Sequence, residues 1–185
     1  MKTRRVLVVN VDGTSRVVED GEPPRSFVAA ETPGFAQAFV WCTPTVPPVE
    51  YDGDEPTAGA VTVLPPPGGT SCVVLTLPPD AVYASPGFNP AAAAAETTRN
   101  DPEFAKLFEP DNPGMHTTPT VDYDVVLDGE LWLELTDGEV HMGPGTVVVQ
   151  HGTRHAWRNK SDKPATLLAV LVGAGAASGK GGGRS

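Results

Sequence analysis

Residues 113–159 read PGMHTTPTVDYDVVLDGELWLELTDGEVHMGPGTVVVQHGTRHAWRN. Short β-prone runs recur through the stretch, at His116–Leu127, Leu131–Leu135, Glu139–Met142, Thr146–Gln150 and His155–Asn159, and another follows at Ala165–Leu171. Tight turns separate them at Asp128-Gly129, Asp137-Gly138, Gly143-Pro144-Gly145 and Lys160-Ser161-Asp162. Evenly spaced short strands with turn signals between them predict a sandwich or barrel. All four histidines of the chain fall in this stretch. Alternate side chains of a strand share a face. His116, Thr118, Thr120 and Asp122 are therefore expected to point one way, and Tyr123 the other. Pro119 marks that strand as an edge or a bulge. His155, Trp157 and Asn159 share a face of a later strand. Two such strands side by side bring His116, Asp122 and His155 to one mouth of a barrel.

Working outward, residues 81–113 change character. Ala91–Glu96 is an alanine-rich run, and Phe104, Leu107 and Phe108 have helical spacing. One helical region is predicted here, broken near Asp101-Pro102. It is either a lid over the barrel mouth or a plain connection. Further upstream, Val6–Val9 and Ser15–Val18 flank the turn Asp12-Gly13 and predict a hairpin. Phe35–Cys42, Val61–Leu64 and Ser71–Leu77 are further candidate strands, the last two separated by PPPGG. Gly173–Ser185 is nearly all Gly, Ala and Ser and predicts a disordered tail.

The 185 residues suffice for one domain with a core. Twenty Pro and twenty Gly favour short elements and turns over long helices. The formal net charge of -10 argues against nucleic acid and anionic membrane as partners. Cys42 and Cys72 sit in apolar runs and read as buried thiols rather than a disulfide framework. The start, MKTRRVLVVNVDG, has too short an apolar run for a signal peptide, and no run is long enough to span a membrane. A cytoplasmic protein is the expectation. Ser15 and Ser71 carry no nucleophile motif, and Asp52-Gly53-Asp54 lacks calcium-loop spacing.

The quoted stretch resembles the small cupins. Their first motif runs His-x-His, then three or four residues, then Glu, then a Gly; their second opens with Gly, passes a Pro-x-Gly turn and ends in His with Asn four residues later. His116 matches the first His, Thr118 stands where the second would be, Asp122 replaces the Glu, and Gly129 matches the Gly. Gly145 opens the second motif, Gly152 makes its turn, and His155 is followed by Asn159. The turn is one residue shorter and its Pro is lost. The resemblance covers about a third of the chain. It implies an all-β fold, a double-stranded β-helix (jelly-roll) barrel with an N-terminal β extension and one short helical segment. Residues 1–172 would form a single domain, with an arm over 1–80, a connection over 81–113 and the core over 114–172. The N-terminal strands would pair with the barrel sheets of the same or a partner chain, making a homodimer.

A full cupin site offers three His and one Glu to a divalent metal. Here one His is a threonine, a poor ligand, and the acid is shorter. His116, Asp122 and His155 would be the ligands if iron, zinc, manganese or nickel is bound; a metal-free site is favoured. There His116 and His155 share base and acid roles, and Asp122 orients one of them. An inward Asp in a β-branched run needs a partner, which is why it stands out. Thr118, Gln150 and Trp157 would shape the substrate pocket; Trp132, His141 and His151 read as outer or turn residues. The pattern also resembles metal-free cupins that dehydrate or isomerise carbonyl compounds in natural-product pathways. The reading leans to such a small-molecule lyase or isomerase. The alternatives are a metal-dependent, oxygenase-type cupin with a His-His-Asp site and a ligand-binding cupin without catalysis.

Overall fold

A computed structural model describes residues 2–60 and 62–175. The first two strands, β1 (Arg5–Val11) and β2 (Thr14–Gly21), form the expected hairpin. Asp12 and Gly13 both sit at positive φ, 51° and 76°, as a two-residue hairpin turn of the right hand requires. Among the described residues the hairpin pairs with no other strand, so the expectation that it joins a barrel sheet does not hold there. A buried side chain ties it to the body. Arg5 lies between Glu19 and Glu55 with its guanidinium 5.4 Å from the Trp41 ring.

The strands β3 (Arg25–Val28), β4 (Ala36–Thr43) and β5 (Thr70–Leu77) follow, then β6 (Thr120–Asp128), β7 (Leu131–Glu134), β8 (Glu139–Met142), β9 (Val147–His151), β10 (Ala156–Arg158) and β11 (Ala165–Gly173). A six-stranded sheet has the order β3-β4-β5-β11-β6-β9, and a three-stranded sheet the order β10-β7-β8. Every pairing is antiparallel. The fold is the all-β cupin barrel anticipated from the sequence.

The two sheets face one another through Val126, Leu131, Leu133, Met142, Ala165 and Leu167, drawn from β6, β7, β8 and β11. A second apolar group joins Phe39, Val63, Val73, Ala169 and Leu171 between β4, β5 and β11. Burying each Val, Leu, Met or Phe among them contributes roughly 1.5–3 kcal/mol.

Two expectations need correction. No strand forms at Thr62–Leu64, because the Val63 N–H donates to Asp101 Oδ2 at 2.7 Å instead of to a neighbouring strand. The helical region is broken at Asp101-Pro102 as expected, into α1 (Pro90–Asn100) and α2 (Pro102–Ala105). Asp101 ends the first and caps the second, its Oδ1 accepting from the Phe104 N–H at 2.9 Å. The tail does not begin at Gly173, which closes β11: its N–H donates to Gly69 O and its carbonyl accepts from Gly68 N–H, at 2.9 and 2.7 Å. A Cβ there would fall 2.0 Å from Pro66 O, so the close approach of the PPPGG loop requires glycine. The tail expectation for 176–185 lies outside the described residues.

Candidate active site

The alternation of β6 buries Thr120, Asp122, Asp124 and Val126 and leaves Tyr123 exposed. The residues leading into it keep the same parity, so His116 and Thr118 are also buried. The strand itself starts only after Pro119. His116 instead makes an isolated bridge to His155, each N–H donating to the other's carbonyl at 2.9 Å. That reciprocal pair sets the two imidazoles side by side, with ring centroids 4.3 Å apart.

Each ring has its Nδ1 beside a backbone carbonyl, His116 at 3.0 Å from Gly114 O and His155 at 2.9 Å from Thr153 O. A carbonyl only accepts, so Nδ1–H donates and the neutral rings keep a bare Nε2. Aromatic walls complete the site. Phe104 and Phe108 lie 5.3 and 5.1 Å from His116, and Trp157 meets His155 edge-on at 5.5 Å.

The carboxyls lie below. Thr120 donates to Thr118 Oγ1 at 2.8 Å, and Thr118 donates to Asp122 Oδ2 at 3.3 Å. Asp122 Oδ1 is buried without a hydrogen-bond partner. Gln150 Nε2 donates to Asp124 Oδ2 at 2.9 Å, and the Thr153 hydroxyl donates to Gln150 Oε1 at 2.8 Å. His116, Thr118, Asp122, Asp124, Gln150 and His155 are each at most 6% exposed. They form a buried polar layer.

Burial sets the electrostatics. It lowers His116 from 6.5 to about 4, helped by neighbouring His155 and opposed by the Gly114 carbonyl. Burial also lowers His155, against the Thr153 carbonyl and the charge of Asp122. Burial raises the Asp122 carboxyl, opposed by the Thr120 and Thr118 hydroxyls and by His155. Asp124 is raised from 3.8 to about 7, first by burial, with Gln150 opposing and Asp122 adding.

The structure brings His116, His155, Asp122, Thr118, Gln150 and Trp157 into one region of the barrel. The orienting task expected of Asp122 is performed otherwise, because both Nδ1–H groups are held by backbone carbonyls. Sequence reasoning missed Asp124, although the alternation that marked Asp122 reaches it one step later. It also missed that Phe104 and Phe108 wall His116, a contact between distant segments. His141 and His151 are exposed, as expected. Arg154 and Arg158 are engaged by Glu109 and Glu134, at 2.5 Å each. Asn159 is structural: its amide nitrogen donates to Leu77 O and Lys163 O.

The cupin resemblance implies a divalent metal at His116, Asp122 and His155. The side chains as arranged do not form a cage for one. Among the described residues no three His, Cys, Asp or Glu side chains gather as a ligand set. A neutral hydroxyl, Thr118, occupies the place of a third imidazole. Two open cavities, of about 450 and 330 Å³, lie elsewhere and include neither imidazole. They lack the buried imidazoles and carboxyls of the polar layer.

Residues 108–171 match the family described as Cupin domain. A segment of 48 residues is 54% identical to the Phomopsin biosynthesis cluster protein C' of Diaporthe leptostromiformis, 25% of each chain. A segment of 60 residues is 40% identical to the Cupin-domain-containing oxidoreductase srdB of Neurospora crassa, 31% of each chain. The match thus spans about a quarter to a third of the length of these curated relatives. A solved sugar phosphate isomerase of the cupin superfamily from Silicibacter pomeroyi aligns with a TM-score of 0.40 at 17% identity, covering 80% of this chain and 68% of that one. Residues 108–171, about a third of the chain, are thus similar to the cupin domain family.

Proposed function

We propose that the protein is a small-molecule lyase or isomerase of dehydratase type, working by acid–base chemistry in natural-product metabolism. The observation that carries this reading is the pair of adjacent imidazoles, each with Nδ1 tied to a carbonyl and Nε2 bare. Burial keeps both rings neutral at neutral pH, the form a base requires. One Nε2 takes the proton from the carbon beside a carbonyl. The electron pair forms the double bond and expels the β-hydroxyl, which leaves as water with the proton returned by that imidazolium. In an isomerisation the imidazolium returns the proton to another carbon. Asp122 stabilises the imidazolium by charge. The layer carries carboxyls and no cation, which favours a substrate uncharged at its reacting end, such as a hydroxy-carbonyl compound. The rings of Phe104, Phe108 and Trp157 suit an apolar body. The relative from a biosynthesis cluster supports the metabolic setting.

The test is substitution with turnover of hydroxy-carbonyl compounds as readout. His116→Ala and His155→Ala are each expected to lower turnover by about a hundredfold or more. Turnover intact in both variants rejects the reading. A second reading, a metal-assisted oxidoreductase, draws support from the unpartnered Asp122 Oδ1 and from the oxidoreductase relative. Elemental analysis before and after dialysis against a chelator separates the two; near-stoichiometric metal selects the second. Tight ligand binding with no turnover selects a binding protein.

We read residues 1–172 as one domain, cytoplasmic and dimeric. No described helix is long and apolar enough to cross a membrane. The exposed Val6, Val8, Val17 and Val18 of the hairpin support a second copy as its cover.

A further inference from the structure

Asp124 is buried, points into the polar layer, and has no part in the proton transfers above. Its hydrogen bonds nevertheless lead to the imidazole that does. Gln150 Nε2 donates to Asp124 Oδ2 at 2.9 Å, which fixes the amide so that Gln150 Oε1 faces the other way. The Thr153 hydroxyl donates to that oxygen at 2.8 Å. The carbonyl of the same Thr153 accepts from His155 Nδ1–H at 2.9 Å.

The chain of contacts matters because of where Thr153 sits. It follows Gly152, at φ 57°, in the turn between β9 and His155. The turn backbone is held on either side, by the Gly152 N–H donating to Thr120 O and the His155 N–H donating to His116 O, both at 2.9 Å. The Thr153 side chain adds the tether that aims its own carbonyl. Without an acceptor at position 124, the Gln150 amide is free to turn over, since its oxygen and nitrogen ends are nearly the same shape. Turned, it could keep the Thr153 hydroxyl only by reversing that hydrogen bond, and with no partner at its far end the side chain no longer fixes the tether. The hydrogen bond to Asp124 fixes the far end of the amide and so keeps Gln150 Oε1 on the Thr153 hydroxyl.

We propose that Asp124 is a positioning residue: through Gln150 and Thr153 it holds the proton of His155 on Nδ1 and so keeps Nε2 bare. It gives His155 the tautomer that the function proposed above uses, and rests on that reading for its purpose. It does not rest on it for its test.

The test is the nitrogen spectrum of the imidazoles in the full-length, substrate-free protein labelled with ¹⁵N-histidine. His116 is an internal control, because its Nδ1 is held by Gly114 O, outside this chain of contacts. In the parent protein both rings are expected to show protonated Nδ1 and bare Nε2. Asp124→Ala is expected to shift His155 toward a mixture of the two tautomers and leave His116 unchanged. Asp124→Asn retains an acceptor oxygen and is expected to restore the parent spectrum. Thr153→Val cuts the tether at a partly exposed turn, and is expected to reproduce the Asp124→Ala effect. It decides the matter if Asp124→Ala does not fold. An unchanged His155 spectrum in folded Asp124→Ala or in Thr153→Val overturns the proposal. So does an Asp124→Asn spectrum as altered as that of Asp124→Ala. Loss of the lyase reading by the His→Ala test leaves these spectra as decisive as before.

Discussion

His116 carries the clearest consequence at the scale of one residue. The native ring titrates at about 4 rather than 6.5, because burial between Phe104, Phe108 and His155 disfavours the cation. Between those values the unfolded chain holds a proton that the native state does not. This contribution to stability is complete above pH 6.5 and is lost as the pH falls toward 4, by roughly 3 kcal/mol in all. Asp124 acts in the opposite sense. The native carboxyl keeps its proton up to about 7, while the unfolded one releases it near 3.8, so its contribution fades as pH rises through that window. The two are separated by comparing the parent with His116→Phe in urea at pH 4 and at pH 6.5. Relative to the variant, the parent is expected to lose stability on acidification. Parallel behaviour of the two proteins would show that His116 is not held neutral by burial. For catalysis the same lowering means that the acid limb of a pH–rate profile falls below 6.5, the ordinary imidazole value.

Among the elements, α2 and the residues after it cover the His116 imidazole. Phe104 joins the apolar group of β4, β5 and β11 and at the same time touches His116. Phe108 bridges to His116 through the backbone, and Glu109 pairs with Arg154 two residues beyond the turn glycine. With both imidazoles buried, Phe104 and Phe108 cover the His116 ring. Of the two roles left open by the sequence, a cover over the barrel is the one its contacts support. Asp101 anchors it, accepting from the Val63 and Phe104 N–H groups. Asp101→Ala removes both bonds and is expected to cost about 2 kcal/mol, read as a lower urea midpoint. It is also expected to speed hydrogen exchange at residues 102–108 while β6 and β11 stay protected. Uniformly faster exchange across the barrel would mean that the cap and the sheets open as one unit.

For the whole molecule the decisive contact is β5 with β11. It runs from Thr70 opposite Val172 to Leu77 opposite Ala165, and it joins the N-terminal half to the cupin motifs in one sheet. Removing residues 1–80 would leave β11 as a bare edge with an apolar inner face, a template for aggregation. Such a fragment is expected to be insoluble or molten in near-UV circular dichroism. A soluble, cooperatively melting fragment would show that 81–172 is a domain by itself.

The strands after His116 were legible because turns and alternation are local signals, and their order along the chain is the motif itself. Alternation also gave the shared face of His116, Thr118, Thr120 and Asp122, since parity needs no knowledge of partners. The N-terminal half was read less well. Val63 has a β-branched sequence around it, yet its N–H serves a carboxylate 38 residues away. Likewise the β1–β2 hairpin carries alternating valines but, among the described residues, pairs with no other strand. What the sequence by itself determined was the barrel, its turns and the inward side chains of β6. Only the tertiary structure decided which atoms those side chains meet: carbonyls rather than Asp122 at both Nδ1 groups, Phe104 and Phe108 over His116, and Gln150 on Asp124. Hydrogen bonds and burial between distant segments depend on how the sheets close, and periodicity along one strand holds no record of that.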